Sequence, residues 1–402
     1  MTAQTYLADR VFDGAGTTID KGFVTVEDGK ISAVGAASEL GSAGDGAIDF
    51  GDATLLPGLV NCHTHLTFTA DGDVLGAALN DSYDLKVMRA VENARKALFS
   101  GVTTIRDCGT LNSIAFAIRE ASAAGVIASP HVWASGNVLT STGGHCYFFG
   151  VECDTIDDVR KAVRSQVKSG ADFIKVMATG GGLTPNTFPA HPQFTREQMV
   201  ALADDSRRLD KRISAHCHGT PGIENAVAAE VTTIEHCSFM TPDDIVYDQA
   251  VANSIAEKGI YVCPTLSVGE RARQRAREEG YEIPDRFRRM REARVDNLRR
   301  LRDTGVEFIS GSDAGVTYTA FDDFQLDIEM LVEFIGVPND EAIITATGKA
   351  AEAIGSDEFG VLAEGKRADV IAVAGNPLHD ISKLRDLQMV MKSGTVYVDN
   401  RN

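Results

Sequence analysis

With 402 residues, 44% of them hydrophobic and 24% charged, the chain has ordinary globular composition and room for a domain of ~250 residues beside a smaller one. A formal net charge of −18 argues against a nucleic-acid or anionic-membrane partner, because neutralising phosphates needs clustered Lys and Arg. No apolar run reaches the roughly 18 residues of a membrane span. The opening MTAQTYLADRVFDG also lacks the basic and apolar regions of a secretion signal, so a cytoplasmic protein is expected.

Residues 1–56 read as short strands (TYLADRVFDG, GFVTVEDG, KISAVGAA, AIDFGDATLLPG) with glycine turns, the mark of antiparallel sheet. From Pro57 the pattern changes to apolar β runs alternating with amphipathic helices. The runs are LLPGLVNCHTH, TTIRDCG, PHVWASG, DFIKVMATG, RISAHCHG, TTIEHCS, IYVCPTL and EFISGSDAG. Helices are predicted over Tyr83–Ser100, Ile156–Ser169, Arg196–Asp210, Pro221–Ala229 and Asn339–Ile354. Eight strand–helix units in tandem predict an α/β fold, a (β/α)8 TIM barrel over residues 57–354. Residues 355–402 return to short strands, FGVLAEGKRADVIAVAG and MVMKSGTVYVDN. They are expected to join residues 1–56 in a small β-sandwich domain built from both chain ends.

Residues 270–302 hold twelve arginines and seven acidic residues. They suit a solvated helix laced with ion pairs, or a lid or oligomer surface that uses arginine for recognition. Seven cysteines without framework spacing are expected to be small buried hydrophobes in a reducing compartment. Cys62, Cys217 and Cys237, each beside a histidine, should face outward against the helices.

The chemistry gathers at the strand ends. His63 and His65 are two apart on the first strand, so both imidazoles share a face and can chelate one ion. Lys175 interrupts the apolar run Phe173–Met177, where an unpaired ammonium costs several kcal/mol or loses its proton. It is either a structural salt bridge or a lysine that reacts with carbon dioxide and bridges two metals as a carbamate. His216 and His218 on the fifth strand, His236 on the sixth and Asp313 after the eighth fall at the rim where such barrels build their sites. Histidine and carboxylate ligation without thiolate suits Zn²⁺, Mn²⁺, Co²⁺ or Fe²⁺. His145, in a glycine-rich loop, is a further candidate, and Gly180–Gly182 reads as a flexible wall rather than a phosphate cradle.

Taken in order, His63-x-His65, Lys175, His216, His236 and Asp313 within a split terminal domain resemble the amidohydrolase superfamily over essentially the whole chain. The contexts FIKVMATGGG, AHCHG and TIEH are similar to its branch of binuclear dipeptidases and amidases related to imidazolonepropionase. The resemblance implies two divalent metal ions, zinc first, and an N6-carboxylated Lys175. It implies that His63, His65 and Asp313 hold one ion and His216 and His236 the other, with a bridging hydroxide as nucleophile. Asp313 would shuttle the proton and His145 would contact the substrate carbonyl or carboxylate. The family's spacing favours His216 over His218 as the fifth-strand ligand, leaving His218 over the substrate. The implied activity is hydrolysis of an amide bond in a small molecule such as a dipeptide or N-acyl amino acid, in a homo-oligomeric enzyme. Three alternatives stay open: a carbamate, phenylurea or ochratoxin-type hydrolase, a mononuclear deaminase or cyclic amidohydrolase, and a non-catalytic scaffold.

Overall fold

The structure, a computed structural model, describes residues 3–41, 46–111 and 113–401. Both chain ends enter one eight-stranded sheet. Five strands precede residue 58 (Gln4–Phe12, Thr18–Glu27, Lys30–Ala36, Ile48–Asp49, Ala53–Pro57), and Val370–Ala374, Leu387–Lys392 and Thr395–Asp399 complete it. The ends meet where Val370–Ala374 runs antiparallel to Ala53–Pro57, pairing Ala53 with Ala374 and Pro57 with Val370. Alternate residues such as Val11, Val24, Ile31, Leu55, Val370 and Met391 form its apolar core. Strands from the two ends therefore join as expected, hydrogen-bonded into a single sheet.

The predicted run LLPGLVNCHTH is two strands. Ala53–Pro57 belongs to the terminal sheet, and β1, Leu59–Thr64, opens the parallel series. Gly58 sits at the changeover because a Cβ there would lie 2.2 Å from Thr103 Oγ1. After β1 come β2 (Val102–Asp107), β3 (His131–Ala134), β4 (Ile174–Met177), β5 (Ile213–Gly219), β6 (Thr233–Met240) and β7 (Tyr261–Cys263). β1–β3 pair in parallel in one sheet and β4–β7 in another.

Backbone hydrogen bonds link the two sheets. Asp172 N donates to Ala134 O at 2.8 Å between β3 and β4. On the far side Ile309 N donates to Val262 O at 3.0 Å and Cys62 N to Ser310 O at 3.0 Å, so residues 307–314 join β7 to β1. This is an α/β fold with parallel sheets, consistent with a TIM-barrel type. The eighth segment makes only isolated bridges, Val262 with Phe308 and Thr64 with Ala314, because Asp313 turns left-handed at φ 59° and breaks the extended run.

Helices cover the parallel strands with their apolar faces. Tyr83–Phe99 is capped by Ser82, while Ile156–Lys168 and Arg196–Arg208 open on capping boxes from Thr155 and Thr195. The single helix expected over Asn339–Ile354 is two, Asn339–Thr345 and Gly348–Ile354, interrupted where Thr347 leaves helical geometry at φ −136°, ψ −102°. The arginine-rich segment forms α1 (Glu270–Glu278) and α2 (Asp285–Asp303). All seven cysteines are buried and free, and Cys217 and Cys237 pack into the main apolar core. Among the described residues no helix is long and apolar enough to cross a membrane.

Candidate active site

All eight side chains singled out from sequence (His63, His65, His145, Lys175, His216, His218, His236 and Asp313) line one cavity of about 370 Å³. β1 supplies His63 and His65, β4 Lys175, β5 His216 and His218, and β6 His236. His145 comes from the loop after β3 and Asp313 from the eighth segment, residues 307–314. His236 and Asp313 both sit in left-handed backbone, at φ 70° and 59°. That turn lets the neighbours Glu235 and His236 both face inward, which plain strand alternation would forbid.

One nitrogen of each of four imidazoles is held from behind, which fixes where the other points. His63 Nδ1 donates to Glu235 Oε2 at 2.8 Å and His65 Nδ1 to Gly109 O at 3.0 Å. His216 Nε2 donates to Gly180 O at 3.1 Å, and His236 Nδ1 shares a hydrogen bond of 2.8 Å with Thr265 Oγ1. The free nitrogens then fall into two sets. His63 Nε2 and His65 Nε2 lie 3.4 and 3.2 Å from Asp313 Oδ1. His216 Nδ1 and His236 Nε2 face each other at 3.0 Å. The second approach sets two lone pairs against each other unless a proton or a cation lies between them.

Lys175 is 1% exposed, and its Nζ has no hydrogen-bond partner among the described residues. Asp313 Oδ1 likewise has none of good geometry. Burial drives the imidazoles to the neutral form that metal ligation requires: His63 and His145 to about 4, with His216 and His236 also well below the usual range. Burial alone would raise Asp313, but the adjoining His63, a hydrogen bond from His65 and the neighbouring Lys175 outweigh it and hold its pKa below the usual carboxylate range. Orphaned cation and anion, neutral imidazoles and converging ligand atoms are a donor set that fits divalent metal. His63, His236 and Asp313 offer ligand atoms within 4.8 Å of one another, and so do His216, His218 and His236.

His218 lies nearer this set than sequence spacing suggested. Its ring stacks on His236 at 4.5 Å and 14°, and its Nδ1 shares a hydrogen bond of 2.9 Å with Ser238 Oγ. The salt-bridge alternative for Lys175 finds no carboxylate partner among the described residues.

Sequence reasoning passed over the layer beneath. Glu235, fully buried, takes Arg106 Nη2 at 2.7 Å, Ser214 Oγ at 2.8 Å and Thr233 Oγ1 at 2.6 Å while orienting His63. Asp107 accepts the backbone N–H groups of Leu66 and Gly109, and burial lifts its carboxyl to about 6. The signal was the one that exposed Lys175: a charged residue inside an apolar strand, in TTIRD and TTIEH.

Residues 54–397 match the amidohydrolase family model. The chain belongs to the amidohydrolase family. This amidohydrolase is 30% identical over 374 residues to the ochratoxinase of Aspergillus niger, covering 84% of this chain and 73% of the relative. It is 26% identical over 385 residues to the imidazolonepropionase of Saccharopolyspora erythraea, covering 89% of this chain and 87% of the relative. A crystal structure of a Xaa-Pro dipeptidase with methionine bound in its active site superposes with a TM-score of 0.86 at 28% identity, covering 99% of this chain and 100% of that one. These likenesses make the amidohydrolase a hydrolase acting on amide bonds of small molecules.

Proposed function

We propose that this amidohydrolase cleaves the amide bond of a dipeptide or N-acyl amino acid with two divalent ions, zinc first among the candidates. The carrying observation is Lys175, buried and unpartnered among two converging ligand sets. His63, His65 and Asp313 would hold one ion, and His216 and His236 the other. Lys175, neutral once it gives up its proton, would add carbon dioxide at Nζ and lose a second proton, and the resulting anionic carbamate would help hold the ions. Bound there, two such ions supply a nucleophile from water near neutral pH and polarise the scissile carbonyl.

The chain's own groups do the rest. Asp313, held ionised, takes a proton and delivers it to the departing amine. His145, its ring 4.7 Å from that of His216, reaches the carbonyl oxygen as charge develops there. The amino-acid-sized ligand of the dipeptidase neighbour supports a substrate of that scale. Apolar walls from Phe68, Leu183 and Val316 favour a second reading, a carbamate or urea hydrolase, which a substrate panel separates. We further assign residues 57–354 to a (β/α)8 barrel and residues 1–56 and 355–402 to an accessory sandwich. Seven free cysteines suit a cytoplasmic setting.

The test is metal content with turnover. Wild-type enzyme should carry close to two zinc ions per chain. Lys175→Ala should bind metal poorly and lose turnover by orders of magnitude, with partial rescue by acetate or formate. A Lys175→Ala enzyme with both ions and full turnover would sink the carbamate and bring the mononuclear reading forward.

A further inference from the structure

Most arginines of the 270–302 segment that reach inward already have carboxylate partners. Arg271 pairs with Asp323 at 2.6 Å, and Arg273 and Arg291 share Glu270 at 2.9 and 3.1 Å. Arg294, on α2, departs from that pattern. It lines the active cavity, hydrogen-bonds through Nη2 to the Pro264 carbonyl, and keeps Nε buried without a partner. Among the described residues no carboxylate lies within ion-pair distance of it. Burial first, then the charge of Arg273, lower its pKa to about 10, so the guanidinium is still cationic at neutral pH. Arg294 is partly buried, and a partly desolvated cation lacking an anion is costly, so an anion arriving from outside would stabilise it.

A second chamber lies behind it. Arg294, Gly269 and Ala272 wall both the active cavity and a neighbouring space of about 380 Å³. The rest of that space is largely apolar, with Leu266, Met290 and Val295 among its walls. The cation therefore stands at the junction of the reacting centre and an apolar compartment.

We propose that Arg294 receives a carboxylate carried by the substrate, and that the chamber behind it takes an apolar side chain next to that carboxylate. The substrate class is then peptides or acylated amino acids that end in an apolar residue with a free α-carboxylate. This assignment rests on the amide-hydrolase reading above and narrows it. Guanidinium suits the task because its planar fork matches a carboxylate, which a lysine ammonium does not.

Calorimetric binding of 3-phenylpropionate, 3-phenylpropanamide and propionate to zinc-loaded full-length enzyme tests it without turnover. Wild type should bind the acid about 10- to 100-fold more tightly than the amide, the range of a charge-assisted hydrogen-bonded pair. Arg294→Met should lose most of that preference, and Arg294→Lys, which keeps the charge and the packed stem, should retain part of it. Propionate, which has no ring, should bind at least about 10-fold more weakly than 3-phenylpropionate. A preference unchanged in both variants places the carboxylate on the metals and overturns the role of Arg294. Equal binding of propionate and 3-phenylpropionate overturns the chamber. An enzyme with Arg294-dependent acid preference that hydrolyses no acylated amino acid overturns the amide-hydrolase reading and leaves Arg294 assigned.

Discussion

Removing Arg106 or Glu235 alone should harm this enzyme more than removing both. Arg106 donates from Nη2 to Glu235 at 2.7 Å, from Nε to Cys62 O at 2.6 Å and from Nη1 to Thr233 Oγ1 at 3.0 Å. The side chains are 4% and 0% exposed, so neither charge has water to fall back on. Glu235→Leu strands a guanidinium inside the strand ring, and Arg106→Met strands a carboxylate. Either should cost about 3–5 kcal/mol, the usual penalty for breaking a buried pair. Arg106→Met/Glu235→Leu leaves only neutral donors and acceptors short of partners, so it should be more stable than either single variant. The expected coupling is about 2 kcal/mol or more. Urea unfolding of metal-depleted protein measures it, followed by fluorescence of Trp133, the sole tryptophan and the register partner of Arg106 across β2 and β3. Costs that simply add, or single variants within about 1 kcal/mol of wild type, would refute the picture of a desolvated pair.

Other predictions probe the site and its frame. His216→Ala should lose metal along with activity, whereas His218→Ala should keep metal and mainly shift KM; the reverse outcome in metal analysis would make His218 the β5 ligand. Gly181→Ala should lower turnover by about 100-fold with metal retained, because the new Cβ would meet His145 Nε2 at 2.3 Å and displace it; unchanged turnover would remove His145 from the chemistry. Lys392 donates to Ser122 Oγ at 2.8 Å and Ser129 O at 2.6 Å, and burial lowers its pKa from 10.5 to about 8. Between those values the unfolded chain holds a proton the folded chain has shed, so stability relative to Lys392→Met should rise from pH 8 to 10.5 and fall back as pH drops through 8. A flat difference in denaturation midpoints across that window would contradict it.

The rim proposed as catalytic was legible because its residues break apolar strands in the same place, unit after unit. Lys175 in Phe173–Met177 and the histidines at the ends of β5 and β6 stand out without any coordinates. What stayed hidden depends on three-dimensional registry. Arg106 and Glu235 are 129 residues apart, and only closure of the parallel strands brings them together. His216 and His218 share a strand face, so periodicity cannot rank them; the Gly180 carbonyl and Ser238 hydroxyl that orient them come from other segments. Gly58 reads as one more strand glycine until Thr103 is packed against it. The helix break at Thr347 is a backbone departure that no capping residue announced.

The pairing of Ala53–Pro57 with Val370–Ala374 also bears on how the chain is made. Ala53 finds Ala374 across 321 residues, and its strand, Ala53–Pro57, leads directly into β1 with His63 at its inner end. On a ribosome adding about 5–20 residues per second, that edge waits roughly 15–60 s for its partner. Throughout that interval it presents unpaired N–H and C=O groups beside the apolar Leu55 and Leu56, the kind of edge on which other chains can dock. The same strand that braces the finished active site is thus the nascent chain's longest-exposed hazard. When β7 ends at Cys263, Asp313 of the site is 50 residues away and the partner strand beginning at Val370 is 107.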